Sequence, residues 1–171
     1  LKKKVTNFLM GMDCHLTIFP ASTNAEEILR HNPNGIVITN GPGNPADVPE
    51  VIETVKALMG KKPMLGFCMG HLVMALANGV EATKMKFGHH GNQPVKGLET
   101  GRVYISAQNH GYVVDAASLE GKDITLTHVA LNDGTVEGLK YEGKNALSVQ
   151  FLPDGEHAYL LKSFVDMMEG R

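Results

Sequence analysis

The chain has 171 residues, 43% of them hydrophobic and 20% charged, with a formal net charge of −2. That length and balance fit one globular α/β domain with its own core. They exclude a nucleic-acid partner, since no basic block exceeds Lys2-Lys3-Lys4, and a helical membrane span, since no run of 18 or more apolar residues occurs.

In chain order, residues 1–12 predict a helix with Val5, Phe8, Leu9 and Met12 on one face. His15–Phe19 reads as a strand closed by Pro20. Ser22–Glu27 supplies cap residues and then acidic residues, so a short helix runs through Ile28 and Leu29. Gly35–Thr39 is a second, almost wholly apolar strand, as expected where both faces are covered. A helix over 48–59, a strand Met64–Phe67 and a helix over 70–78 follow. Beyond Gly79 the chain turns β-rich: Arg102–Ala107, Tyr112–Val114, Ile124–His128, Val136–Tyr141 and Ala146–Phe151. Asn132-Asp133-Gly134 and Glu142-Gly143-Lys144 predict hairpin turns. A helix over 156–169 closes the chain. The expected fold is α/β, a doubly wound, mostly parallel sheet with helices on both faces plus a β-rich second half. No linker or repeat divides it, so one domain over 1–171 is expected.

Three stretches carry chemistry. Gly66-Phe67-Cys68-Met69-Gly70 has the spacing of a nucleophile elbow, in which a strand turns sharply into a helix at a strained central residue. A helix starting just after Cys68 favours a thiolate and an oxyanion there; a buried structural cysteine is the other reading. Asn40-Gly41-Pro42-Gly43-Asn44-Pro45 forms a rigid loop at the carboxyl end of a strand, where α/β folds bind ligands. It lacks the Lys-Ser/Thr pair of a phosphate loop. Gln108-Asn109-His110-Gly111-Tyr112 reads as a polar turn suited to an amino-acid head group. Lys86–Pro94 reads as a polar, glycine-bearing loop. Its paired His89 and His90 lack a third ligand positioned by sequence, so no metal is expected. Cys14 and Cys68 make no disulfide framework, and a reducing, cytosolic setting is expected.

Together Asn40–Pro45, Gly66–His71, Lys84–Val95, Gln108–Tyr112 with Val114-Asp115, and Ser148–Phe151 before Pro153 resemble the class I (triad-type) glutamine amidotransferases. The likeness is greatest to the glutaminase domain of the carbamoyl-phosphate synthase small subunit. It implies that Cys68 attacks the side-chain amide of glutamine, forms a thioester and releases ammonia to a synthetase (large) subunit. Backbone N–H groups of Gly43 and Met69 would hold the oxyanion. Gly41, Gly43, Met69, Asn109, Gly111 and Tyr112 match glutamine-binding positions. No cofactor is implied for this domain, and the cytoplasm is the implied location. The family's N-terminal domain and first strand are expected to lie outside these residues. Three positions depart from the family. Its catalytic His is Leu152 and its Glu is Asp154, while Leu72 replaces a substrate-contacting Gln. Leucine can neither take a proton nor orient a base, so the resemblance implies either an impaired glutaminase or a catalytically silent domain acting on its synthetase partner. His157 and His71 are the nearest substitutes. His71 reads as structural, His157 as an exposed residue at a helix start, and His110 as shaping the pocket.

Overall fold

Apolar runs of three to four residues cannot bury their backbone alone, and here they pair into one seven-stranded sheet in the order β1-β2-β7-β6-β5-β3-β4. The computed structural model describes residues 3–170, so the start of the first predicted helix, Lys2 included, lies outside the described residues. Helix α1 (Lys3–Gly11) is followed by α2 (Ala25–Arg30), whose Asn24 cap accepts a bond from the Glu27 N–H at 2.9 Å. Then come β1 (Ile36–Ile38), α3 (Pro49–Leu58), β2 (Met64–Phe67) and α4 (Met69–Ala77). The second half contributes β3 (Ala82–Gly97), β4 (Val103–Val114), β5 (Ile124–Ala130), β6 (Val136–Tyr141) and β7 (Ala146–Val149), before α5 (Ala158–Glu169).

The α/β class, the helices on both faces and the β-rich second half are as expected, and the sheet is mixed. β1, β2 and β7 run parallel, whereas β7-β6-β5-β3-β4 are antiparallel throughout. Side chains of β2 alternate between two apolar clusters. Met64 joins the cluster under α3 and α4, with Ile36, Leu58, Val73 and Leu139. Leu65 and Phe67 join the one under α1 and α5, with Val5, Leu9, Phe151 and Phe164.

Three local readings are corrected. His15–Phe19 is irregular rather than a strand, and Ile18 is 72% exposed. A strand needs a hydrogen-bonded neighbour, and among the described residues none lies beside this segment. Lys86–Pro94 is not a loop but the middle of β3, paired residue by residue with β4 from His89↔His110 to Lys96↔Val103. Gln108–Tyr112 is correspondingly no turn, because β4 runs unbroken through it.

Candidate active site

The elbow is built by close packing. Cys68 has φ 55° and ψ −113°, a left-handed conformation that costs a non-glycine residue roughly 1–3 kcal/mol. Its surroundings hold it there. The Cys68 N–H donates to the Val149 carbonyl at the end of β7 at 3.0 Å, and the Leu72 and His71 N–H groups turn back onto the Cys68 carbonyl. The flanking glycines are required by contact: a Cβ on Gly70 would lie 2.0 Å from the Ile38 carbonyl oxygen, and one on Gly66 2.5 Å from the Met74 sulfur. Helix α4 is therefore pressed onto the carboxyl ends of β1 and β2, with half-buried Cys68 at its head. Ahead of His71 and Leu72, the Met69 and Gly70 N–H groups have no intrahelical acceptor and are available to an anion.

The loop after β1 reaches the same place. A Cβ on Gly41 would stand 3.4 Å from the Met69 Cγ, and Gly43 takes a positive φ of 91°. Asn44 caps the short turn Pro45–Asp47 by accepting from the Ala46 N–H at 3.1 Å. Leu152 follows β7 by three residues, is half-buried, and donates its N–H to the Ala107 carbonyl of β4 at 3.4 Å. The segment Phe151–Asp154 thus bridges the strand that anchors Cys68 and the strand that carries Gln108–Tyr112. The Asp154 carboxylate pairs with the Lys4 ammonium at 3.0 Å.

The remaining predicted residues separate. Leu72 is 3% exposed and belongs to the apolar cluster under α3 and α4. His71 is fully buried, with Nδ1 2.8 Å from the Ser148 hydroxyl, which also meets the Tyr141 hydroxyl at 3.0 Å. Burial drives the His71 pKa down to about 3, so it remains neutral, as its structural reading required. His157 is not exposed; it is 1% accessible, packed 4.2 Å from the Phe151 ring, and neither ring nitrogen has a hydrogen-bond partner among the described residues. A group buried among aromatics with its pKa lowered by desolvation is a core residue. On β4 the alternation sends Asn109 outward, where its Oδ1 meets His90 Nδ1 at 2.8 Å, and Gln108 and His110 inward. Gly111 and Tyr112 are half-buried.

Sequence reading missed the cluster behind β4. His89 Nδ1 lies 3.2 Å from both Gln108 Oε1 and Glu137 Oε1, and His110 Nε2 lies 2.6 Å from Gln108 Oε1. Glu137 is fully buried, and burial raises its carboxyl to about 7. Burial also lowers His110 to about 4. The side chains of His89, His110 and Glu137 could together hold a metal ion. A glutamate in the middle of the otherwise apolar, wholly buried run Val136–Leu139 was the available signal.

Against known proteins, the family model for the class-I glutamine amidotransferase matches residues 1–164. The carbamoyl phosphate synthase small chain of Listeria monocytogenes is 46% identical over 177 residues, covering 100% of this chain and 49% of that protein. The Bacillus cereus small chain is 49% identical over 175 residues, covering 99% and 48%. This chain therefore spans about half the length of these curated relatives. Among solved structures, a putative GMP synthase component from Thermoplasma acidophilum superposes with a TM-score of 0.84 at 19% identity, over 98% of this chain and 88% of that one. A glutamine amidotransferase from Thermotoga maritima superposes at 0.60 and 17% identity, over 90% and 80%. Both likenesses concern the fold.

Proposed function

The chain belongs to the class I glutamine amidotransferase family, and on that premise we propose that it hydrolyses glutamine slowly, through Cys68, to supply ammonia to a carbamoyl-phosphate synthase large subunit. The observation that carries the reading is the backbone of Cys68, strained at φ 55° and seated at the head of α4. Strain of this kind persists only where the surroundings enforce it, and it presents the sulfur at the open end of the sheet.

In the proposed reaction the Cys68 sulfur attacks the glutamine side-chain carbon and the carbonyl oxygen becomes an oxyanion. The Met69 and Gly43 N–H groups receive that charge without reorganising. The C–N bond then breaks, the nitrogen takes up the proton given up by the Cys68 thiol, relayed through solvent, and leaves as ammonia; water then hydrolyses the thioester to glutamate and returns a proton to the sulfur. Backbone at Gly41, Asn109, Gly111 and Tyr112 positions the amino-acid end. No cofactor enters these steps. Proton transfer to the leaving nitrogen is the weak step, because Leu152 occupies the base's position and Asp154 is engaged by Lys4. General acid–base help is worth about 10²–10⁴-fold, which sets the expected deficit. The half-buried, apolar Leu152 also favours a second reading, in which the domain no longer turns over and serves its synthetase partner structurally.

Glutamate release decides between them. The double variant Leu152→His with Asp154→Glu should release glutamate roughly 10²-fold or more faster than the unmodified chain, and Cys68→Ser should abolish release in both. Rapid turnover by the unmodified chain would refute impairment. No gain from the double variant, combined with no adduct on Cys68 from a glutamine-analogue alkylator, would favour the silent domain.

A further inference from the structure

Hydrogen bonding behind β4 leaves an unusual remainder. The outer nitrogen of His89, Nε2, meets the Asp133 carboxylate at 2.9 Å, and the outer nitrogen of His110, Nδ1, meets the Tyr112 carbonyl at 2.9 Å. Both partners only accept, so both outer nitrogens carry the protons. In the neutral rings the inner nitrogens, His89 Nδ1 and His110 Nε2, are then lone pairs. The Ser106 hydroxyl donates to the Gln93 carbonyl at 3.1 Å, so it must accept from Gln108 Nε2 at 3.0 Å. That fixes the Gln108 amide with its oxygen facing inward. Glu137 adds Oε1, while its Oε2 is buried with no hydrogen-bond partner among the described residues.

Four electron-pair donors thus converge: two imidazole nitrogens, an amide oxygen and a carboxylate oxygen. With both rings neutral and Glu137 ionised, no hydrogen lies between these four atoms among the described residues. His110 Nε2 and Gln108 Oε1, at 2.6 Å, stand closer than the roughly 3.3 Å edge of a tetrahedral zinc site, so the flexible amide must swing back by about 0.7 Å to admit a cation.

We propose that His89, His110 and Glu137, completed by the Gln108 amide oxygen, form a binding site for one divalent cation of the zinc class. The proposal goes beyond glutamine hydrolysis and does not depend on it. Tetrahedral ligands at bond lengths of roughly 2.0–2.1 Å stand about 3.3 Å apart. Glu137 Oε1 is 3.2 Å from His89 Nδ1 and 3.9 Å from His110 Nε2, which bracket that edge. Two nitrogens and two oxygens are ligands zinc accepts, whereas magnesium and calcium prefer all-oxygen sites. The outer bonds to Asp133 and Tyr112 are the carboxylate–histidine and carbonyl–histidine pairs that orient metal ligands.

Sequence placement also favours a built site. Glu137 is the extra residue of a bulge, since Gly138 pairs with His128 and Val136 with Val129, and such bulges re-aim side chains. Asp133, whose side chain is 41% exposed on the turn between β5 and β6, marks the route in from solvent. A bound cation would tie β3, β4 and β6 together directly behind the segment carrying Asn109, Gly111 and Tyr112.

The test uses Zn²⁺ alone on the full chain after chelator treatment and dialysis, read by titration calorimetry and elemental analysis. One equivalent should bind, and the chain loaded with Co²⁺ instead should show the visible bands of a tetrahedral nitrogen–oxygen site. Glu137→Gln preserves shape and should weaken binding at least 100-fold, whereas His15→Gln, on the irregular segment, should change nothing. If Glu137→Gln does not fold, Asp133→Asn on the exposed turn should weaken binding by about 10–100-fold, as loss of an orienting partner does. One-to-one binding of undiminished affinity in Glu137→Gln or Asp133→Asn would locate the cation elsewhere and overturn the proposal. No binding at all would show that protons fill the cluster, and would overturn it equally.

Discussion

Replacing Gly70 with alanine tests whether packing against β1 sets the elbow. The new Cβ would fall 2.0 Å from the Ile38 carbonyl oxygen, where ordinary contact begins at 3.4 Å, so the head of α4 must move by more than an ångström or the strand must yield. Overpacking of this kind costs typically about 1–3 kcal/mol. Alanine returns at most about 1 kcal/mol through helix propensity, so a net loss is expected in urea unfolding. The effect on chemistry should be larger than the effect on stability. A shift of about 1 Å in the groups around a reacting centre can cost 10²-fold, and Met69 and Cys68 both ride on that turn. Alkylation of Cys68 by a glutamine analogue, followed by mass spectrometry, reads this directly. Gly11→Ala is the control: Gly11 ends α1, is exposed, and a Cβ there meets nothing within 4 Å. It should leave alkylation unchanged and stability equal or slightly higher. If Gly70→Ala stays within about 0.5 kcal/mol of the parent, the range of ordinary surface changes, and alkylates at the parental rate, the packing account of the elbow is wrong.

Acid should destabilise the fold through its buried histidines. Burial lowers His71 to about 3 and His128 to about 4, from an unfolded value of 6.5, so between these limits the unfolded chain holds protons that the folded chain refuses. Stability is then complete above pH 6.5 and falls as pH drops toward the folded values, by about 1.4 kcal/mol per pH unit for each histidine. His128→Gln should flatten a urea-midpoint series between pH 6.5 and 4.5 by one such slope, and parallel curves for parent and variant would contradict the assignment. His157→Phe should raise stability by about 1 kcal/mol, because it removes two buried, unpartnered nitrogens while keeping the ring stack on Phe151. Slower alkylation of Cys68 in that variant would instead mean that His157 serves the thiol.

Local pattern was sufficient where elements satisfy themselves locally. The apolar run Met64–Phe67 and the glycines around Cys68 predicted β2, the elbow and α4 at their observed places, because burial on both faces and close helix–strand contact leave direct marks in composition. His15–Phe19 has as good a strand pattern, with Leu16 and Ile18 on alternate positions, yet lies irregular because pairing is a property of two segments. β3 failed in the opposite sense. Its glycines, proline and polar residues resemble a loop, but pairing along β4 makes it a strand, and a bulge between Lys84 and His89 absorbs the mismatch. The His89 cluster was illegible for the same reason: beyond the Gln108–His110 pair on β4, its bonds join residues 19, 44 and 48 positions apart, which no local window spans.

The state of the elbow bears on what Leu152 means. If the strained Cys68 depended on a bond to the base, loss of that histidine would let the turn relax into an unstrained strand-to-helix connection. Instead φ stays at 55°, held by the Val149 carbonyl, the Ile38 carbonyl against Gly70 and the Met74 sulfur against Gly66, none of which is a proton acceptor in the reaction. These contacts hold the Cys68 backbone in place with leucine at position 152. A cost of roughly 1–3 kcal/mol at one residue is covered by contacts that also join α4 to the sheet, so it can persist whether or not the chemistry is fast. Proton transfer separates an impaired enzyme from a silent one, because it is the single function that Leu152→His with Asp154→Glu would restore without moving the elbow.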